Sequence, residues 1–205
     1  MITVNGNPIT VNTNFVSDIS DWYNLKEIKI GNQIWSDKNF DYKPAFFNPA
    51  VYTRSAVNGY DLGKQYYYPP ISLNSELSRN LPEWKWRVPT SADFQTLIDY
   101  CGGSDVAGYE LKSTYGWDDG GNGIDTYGFN ALPVGSAGSE TPFDFAQAGS
   151  TTVFGTTTTA NTWVGDNYVQ GAVWVVGLNA NDYKVRSWLT NSNYIFASVR
   201  LIKDV

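Results

Sequence analysis

The chain contains no histidine and one cysteine, Cys101. Without an imidazole there is no Ser-His or Cys-His pair, no imidazole base and no zinc site of the usual kind. A single cysteine closes no intrachain disulfide, so the fold must stand on its core. Lys and Arg number 14 against 20 Asp and Glu, and they form no run. A nucleic-acid binder would carry a basic stripe, so a net charge of −6 points away from nucleic acid. No apolar stretch approaches the roughly 18 residues of a membrane span, so membrane insertion is not expected. The opening residues, Met1-Ile2-Thr3-Val4-Asn5-Gly6, show no basic segment followed by an apolar run. No signal peptide is read there. The expected locations are therefore a virion, or an extracellular setting reached after a leader has been removed.

What the chain does have is aromatic side chains, Gly, Asn, Ser and Thr. Aromatics make up 16%, with 8 Trp and 14 Tyr, while charged residues make up 17%. That balance predicts many turns and short strands around an irregular aromatic core. Residues 1–24 are expected to form an N-terminal β arm. Ile2-Thr3-Val4-Asn5 recurs as Ile9-Thr10-Val11-Asn12 around Gly6-Asn7-Pro8, a hairpin pattern. Such an arm would serve attachment, or homo-oligomer formation by pairing with a second subunit; a strand pair on the main body accounts for the same pattern.

Residues 25–205 are expected to form one domain. Residues 25–30 and 33–35 read as strands around Gly31-Asn32. Residues 40–68 read as an aromatic loop, and 66–70 as a packed extended segment. Thr90 is a helix N-cap with Asp93 three residues on. Phe94, Leu97, Ile98 and Cys101 follow at helical spacing, and Gly102-Gly103 end the helix. Cys101 is thereby read as a small buried hydrophobe rather than a nucleophile. Residues 109–111 are left between a strand and a turn. Strands are expected at 143–145, 151–154, 162–164, 172–178, 184–189 and 194–202, with the four threonines at 156–159 as an exposed strand end or loop. Few helices, short antiparallel strands and long ordered loops make an α+β domain. Trp86, Trp117, Trp163 and Trp174 are expected to pin the loops. Arg87 and Arg200, set among apolar residues, need carboxylate or carbonyl partners.

Three regions are candidates for function. The first is residues 179–194, with Asn179, Asn181, Asp182, Tyr183, Lys184, Arg186, Trp188, Thr190, Asn191, Ser192, Asn193 and Tyr194. Asn, Ser and Tyr with a few Trp and Arg are what recognition loops use. Plain hairpin turns account for the same residues, because Asn tolerates the left-handed backbone. The second is the oxygen-rich loop Asp118, Asp119, Asn122 and Asp125, a Ca²⁺ candidate without EF-hand spacing. No cofactor is otherwise required. The third is a set of aromatic stacking platforms for sugars, Tyr60, Tyr66, Tyr67, Trp188 and Tyr194, although core packing accounts for most of them. Carboxylates are present, but none stands in a recognisable catalytic motif, so an enzyme is not expected.

Ordered blocks along the chain resemble one family. They are Ile30-Gly31-Asn32-Gln33-Ile34-Trp35 with Asp37-Lys38-Asn39-Phe40, then Trp86-Arg87-Val88-Pro89-Thr90, then Leu111-Lys112-Ser113 with Gly116-Trp117 and Gly121-Asn122-Gly123. Tyr127-Gly128-Phe129-Asn130-Ala131-Leu132-Pro133 follows, then Trp163, Phe196 and Ser198-Val199-Arg200. Over residues 26–204 these resemble the Fibrobacter succinogenes major paralogous domain, which implies a C-type-lectin-like fold. The family often has a Cys where Leu201 stands. The related formylglycine-generating enzymes use a cysteine pair, so that oxidase activity does not carry over to a chain with Cys101 alone. Some phage and bacterial proteins of this fold are diversified near the C-terminus by retroelements that enrich Asn, Tyr, Ser and Asp codons, and residues 179–194 resemble such a variable region. The resemblance implies a non-catalytic binding or adhesion protein, here expected in a phage virion or tail and recognising a host-surface protein or glycan. A secreted or cell-surface adhesin of the same fold, or a purely structural virion protein, is the alternative.

Overall fold

The computed structural model describes residues 3–4, 7–8, 25–42, 49–54, 56–80, 85–138, 145–192 and 195–204. At the N-terminus β1 (Thr3–Val4) pairs antiparallel with β2 (Asn7–Pro8), Thr3 opposite Pro8 and Val4 opposite Asn7. Asn7 and Pro8, expected to turn, are thus paired. The expected second strand at 9–12 lies outside the described residues.

The hairpin read around Gly31-Asn32 forms as β3 (Glu27–Ile30) and β4 (Gln33–Ser36). Residues 40–68, expected to be loop, instead contain a second hairpin, β5 (Ala50–Thr53) and β6 (Lys64–Tyr67). Its buried Ala50 and Tyr67 sit opposite one another and pack with Val57, Leu62, Val134 and Ala137. Helix α1 (Pro70–Asn80) follows directly and was not anticipated. Its signals are Pro70 at the first helical position and the four-residue spacing of buried Leu73 and Leu77. Gly155 lies under this helix: a Cβ there would come 2.1 Å from Pro70 Cγ.

Strand β7 (Trp86–Arg87) leads into α2 (Ser91–Tyr100), which has the expected capping box between Thr90 and Asp93. Phe94, Leu97, Ile98 and Cys101 all face the core. Residues 109–111 belong to a short helix, α3 (Ala107–Leu111). A long ordered loop follows, with one 3-10 turn at Asp118–Gly120. Then come β8 (Ser136–Gly138), β9 (Phe145–Ala146), β10 (Thr151–Val164), β11 (Asn167–Asn179), β12 (Val185–Thr190), β13 (Ile195–Phe196) and β14 (Ile202–Lys203).

The expected strands at 151–154 and 162–164 are one strand, and the threonine tract lies inside it. Register shifts between Gly155 and Thr159 mark a bulge. The bulge has work to do: Thr156 Oγ1 donates to the Trp174 carbonyl (2.7 Å), the Thr157 N–H donates to Pro89 O (2.9 Å), and Thr158 Oγ1 accepts from the Ser91 N–H (2.9 Å). The tract therefore joins the sheet to the start of α2.

The sheets are β3-β4-β14-β7, β10-β11-β12 and β13-β8-β9, with two separate hairpins, and every named pairing is antiparallel. The domain is α+β, as expected. Trp35, fully buried, packs between Phe94 (ring centroids 5.1 Å apart) and Phe129 (5.8 Å) at the centre of the main core. Trp117 is also buried; its indole N–H reaches Ser113 Oγ (3.1 Å) and the Ala131 carbonyl (3.2 Å), pinning the long loop as expected. Trp86 and Trp174 are half-buried. Trp163 corrects the expectation: it is 66% exposed.

Both arginines find partners. Arg87 takes Asp93 with two nitrogens (2.7 and 3.1 Å) and Asp204 with Nε (2.8 Å). Arg200, buried, donates to the Ser36 carbonyl (3.0 Å) and Asn39 Oδ1 (3.1 Å), and its guanidinium lies 4.4 Å over the Phe129 ring. The C-terminal block thus ties β14 to the first hairpin.

Candidate binding face

Strand alternation divides the β10-β11-β12 sheet. Phe154, Val176, Leu178 and Val185 face the main core. Arg186, Trp188 and Thr190 alternate on the other side of β12, opposite Gly177, Val175 and Val173 of β11. On that side a groove of about 470 Å³ opens at the end of the sheet. Five of the anticipated residues line it: Asn179, Asn181, Asp182, Arg186 and Trp188. They meet Ser136, Gln147 and Ile195, which come from distant parts of the chain. Those three carry no sequence signal of their own; only folding brings them in.

The groove is rigid for local reasons. Arg186 grips Asp182 with two nitrogens (3.0 and 2.5 Å). Arg186 and the Lys184 N–H hold the Asp182 carboxyl down at about 2. Asn179 Oδ1 accepts the Asn181 N–H (2.9 Å), an Asx-type turn. The Trp188 indole lies across Gly177, where a Cβ would come 2.6 Å from Cζ3 and Cη2.

Beneath the loop sits Lys112, fully buried. Its ammonium donates to the carbonyls of Asn179 and Asp182, both at 3.0 Å, and lies between the rings of Trp117 (4.7 Å) and Tyr183 (5.1 Å). Burial pulls its pKa down to about 8 against the opposing pull of Asp182. Sequence reading placed Lys112 in the Leu-Lys-Ser block but missed this role.

The rest of residues 179–194 goes elsewhere. Tyr183 packs edge-on against Tyr109 (4.7 Å) and Lys184 pairs with Asp105 (3.0 Å), both away from the groove. Thr190 and Asn191 line a separate depression of about 630 Å³ with Tyr168 and Gln170. Ser192 is half-buried, and Asn193 and Tyr194 lie outside the described residues. The tip of the β10–β11 hairpin carries an exposed cross-strand pair, Trp163 and Tyr168, in edge-to-face contact at 5.7 Å. Its signal was legible: two aromatics flanking Val164-Gly165-Asp166-Asn167. Among the other proposed platforms, Tyr67 is buried, Tyr66 is half-buried and Tyr60 is exposed, tilted against Tyr115 (4.9 Å).

The oxygen-rich loop is occupied by its own hydrogen bonds. Asp118 Oδ1 accepts from Asn58 Nδ2 (2.8 Å), Asn122 Oδ1 from the Trp117 N–H (3.1 Å) and Asp125 Oδ1 from the Asn130 N–H (2.6 Å). Asp119 is exposed. Among the described residues no three His, Cys, Asp or Glu side chains converge to hold a metal ion.

The ordered blocks thus occupy defined places: the first hairpin, the capped helix, the Trp117 loop and the Arg200 strand. Residues 28–203 match the Fibrobacter succinogenes major domain. The chain belongs to that family. No curated protein and no solved structure matches this Fibrobacter succinogenes major domain protein. Among its described residues no helix is long and apolar enough to cross a membrane.

Proposed function

We propose that this protein is a non-catalytic ligand-binding or adhesion protein that recognises a host surface through the groove on the β10-β11-β12 sheet. One observation carries the reading. Asn179, Asn181, Asp182, Arg186 and Trp188 converge there with solvent access, on a sheet whose other face packs on the main core and whose near side buries Val153, Val173 and Val175 in a second cluster. Side chains on a rigid support that the core does not use are what recognition needs. Burial pushes the Cys101 thiol up to about 12, so a thiolate nucleophile has no part in this reading.

The finer fold reading, a C-type-lectin-like domain, belongs to the same proposal. It is supported by the long loop held on Trp117 and by β14 lying between β4 and β7. In this reading residues 1–24 are the attachment or assembly arm, and the setting is the outside of a phage particle. Virion mass spectrometry tests the setting; recovery from a bacterial envelope instead would make the protein an adhesin. Comparison of sibling gene copies tests retroelement diversification: substitutions confined to adenine positions around codons 179, 181 and 191 support it, and scattered ones end it.

Binding itself is tested with fluorescently labelled full-length chain on a panel of bacterial cells. Arg186→Ala with Trp188→Ala should abolish adhesion while the fold is kept. Undiminished adhesion by a folded double variant would leave the purely structural role.

A further inference from the structure

Resting on that reading, we propose that the groove takes a neutral pyranose sugar and needs no metal ion to do so. Its lining holds two charges, Arg186 and Asp182, and these neutralise each other through two hydrogen bonds. An anionic or cationic ligand would have to compete with that exposed pair, and finds no unpaired counter-charge in the lining. A ligand rich in hydroxyls and without charge meets no such cost.

The remaining groups suit such a ligand. The Trp188 indole is held by Gly177 on one side, is 39% exposed and has no aromatic partner stacked on it among the described residues. It is a fixed flat apolar surface, matching the C–H face of a pyranose ring. Around it are side-chain amides. Among the described residues the Asn181 amide, Asn179 Nδ2 and Gln147 Nε2 have no protein partner. The Asn181 amide offers donors and an acceptor in one plane, the geometry that a pair of neighbouring hydroxyls accepts, while Asn179 and Gln147 add their NH₂ donors, their oxygens already accepting from the Asn181 N–H and the Thr151 hydroxyl. Ser136 adds a hydroxyl to the lining. A volume of about 470 Å³ admits one or two sugar rings.

A peptide fits less well. The groove lies on the face of the sheet, where the strands' backbone groups pair with one another from β10 to β12. Strand addition would use the outer edge of β12, the last strand of this sheet, whereas the groove presents side chains on the sheet's face.

The test uses the full-length chain on an array of neutral and acidic glycans, with ¹⁵N-indole NMR during titration of methyl glycosides of glucose, galactose and mannose. Neutral glycans should bind, shift the Trp188 indole resonance and remain bound in EDTA. Trp188→Ala should weaken binding by about tenfold or more. Asn181→Ala and Gln147→Ala should each weaken it roughly three- to tenfold. Trp188→Phe keeps a ring and should retain partial binding, which guards against a folding defect in the alanine variant. A silent array, binding of acidic glycans alone, or binding indifferent to Trp188→Ala overturns the sugar assignment. Cell adhesion that survives periodate, falls to protease treatment of the cells and still requires Trp188 would overturn the sugar while leaving the binding face standing. Adhesion indifferent to Trp188 and Arg186 would overturn both.

Discussion

The Gly108 N–H donates to the Tyr183 carbonyl at 2.9 Å, and a Cβ at position 108 would lie 2.4 Å from that oxygen. Helix α3 and the loop behind the groove therefore touch backbone to backbone. Gly108→Ala should force the two apart and destabilise the domain by about 1–3 kcal/mol. Urea denaturation checks this, and an unchanged midpoint would show that the contact gives way freely.

Lys112 makes the second link to the same loop. Lys112→Met removes the donor to Asn179 O and Asp182 O and leaves both carbonyls without it. A loss of about 1–3 kcal/mol is expected. The pH dependence has a definite sign. The folded-state pKa, about 8, lies below the ordinary lysine value of 10.5. Between those values the unfolded chain binds more protons, so stability rises with pH there. Wild type should gain on Lys112→Met from about pH 8 towards 10.5. Denaturation midpoints measured across that range decide it; a falling difference contradicts the assignment.

Asp93 behaves in the opposite sense. Burial pushes its carboxyl up, but Arg87 and the Thr90 hydroxyl and N–H outweigh burial and hold it below the usual range. The group therefore stabilises the fold above its unfolded pKa, and that contribution disappears as pH falls through the folded value. Asp93→Asn should cost about 1–2 kcal/mol at pH 7, and much less near pH 2–3. Equilibrium unfolding at both pH values measures the difference.

The tryptophans should separate sharply. Trp163→Ala, at the exposed hairpin tip, should change stability by no more than about 0.5 kcal/mol. Trp35→Ala or Trp117→Ala, in the core, should cost about 3–5 kcal/mol. Thermal melts of the three variants compare them directly.

Calcium should do nothing to the melting temperature. Asp118, Asn122 and Asp125 already hold their own loop together through Asn58, Trp117 and Asn130. A ligand binding the folded state at about 100 times its dissociation constant adds about 2.7 kcal/mol, which a melt resolves easily. A clear rise in calcium, reversed by EDTA, would assign a metal site to this loop.

The helix at Ser91–Tyr100 and the hairpin at Glu27–Ser36 were legible because their signals are local: a capping box, a period of 3.6 and a period of two around a turn. Helix α1 escaped because Tyr66-Tyr67-Tyr68-Pro69-Pro70 reads as extended chain and its apolar stripe is narrow. The threonine tract looked exposed because composition alone cannot show that Thr156 reaches Trp174 while Thr157 and Thr158 reach Pro89 and Ser91.

By itself, the amino-acid order determined the family, the α+β class, the capped helix and the need of Arg87 and Arg200 for partners. Each rests on neighbours in the chain or on an ordered set of motifs. Only the tertiary structure decided which of residues 179–194 lie together. Strand alternation puts Arg186 and Trp188 on one face, while Lys112 and Gly108 fix the loop so that Tyr183 and Lys184 turn away from the groove. Gln147, Ser136 and Ile195 complete the groove from far along the chain, a closeness that depends on how the sheets pack and that no local pattern records.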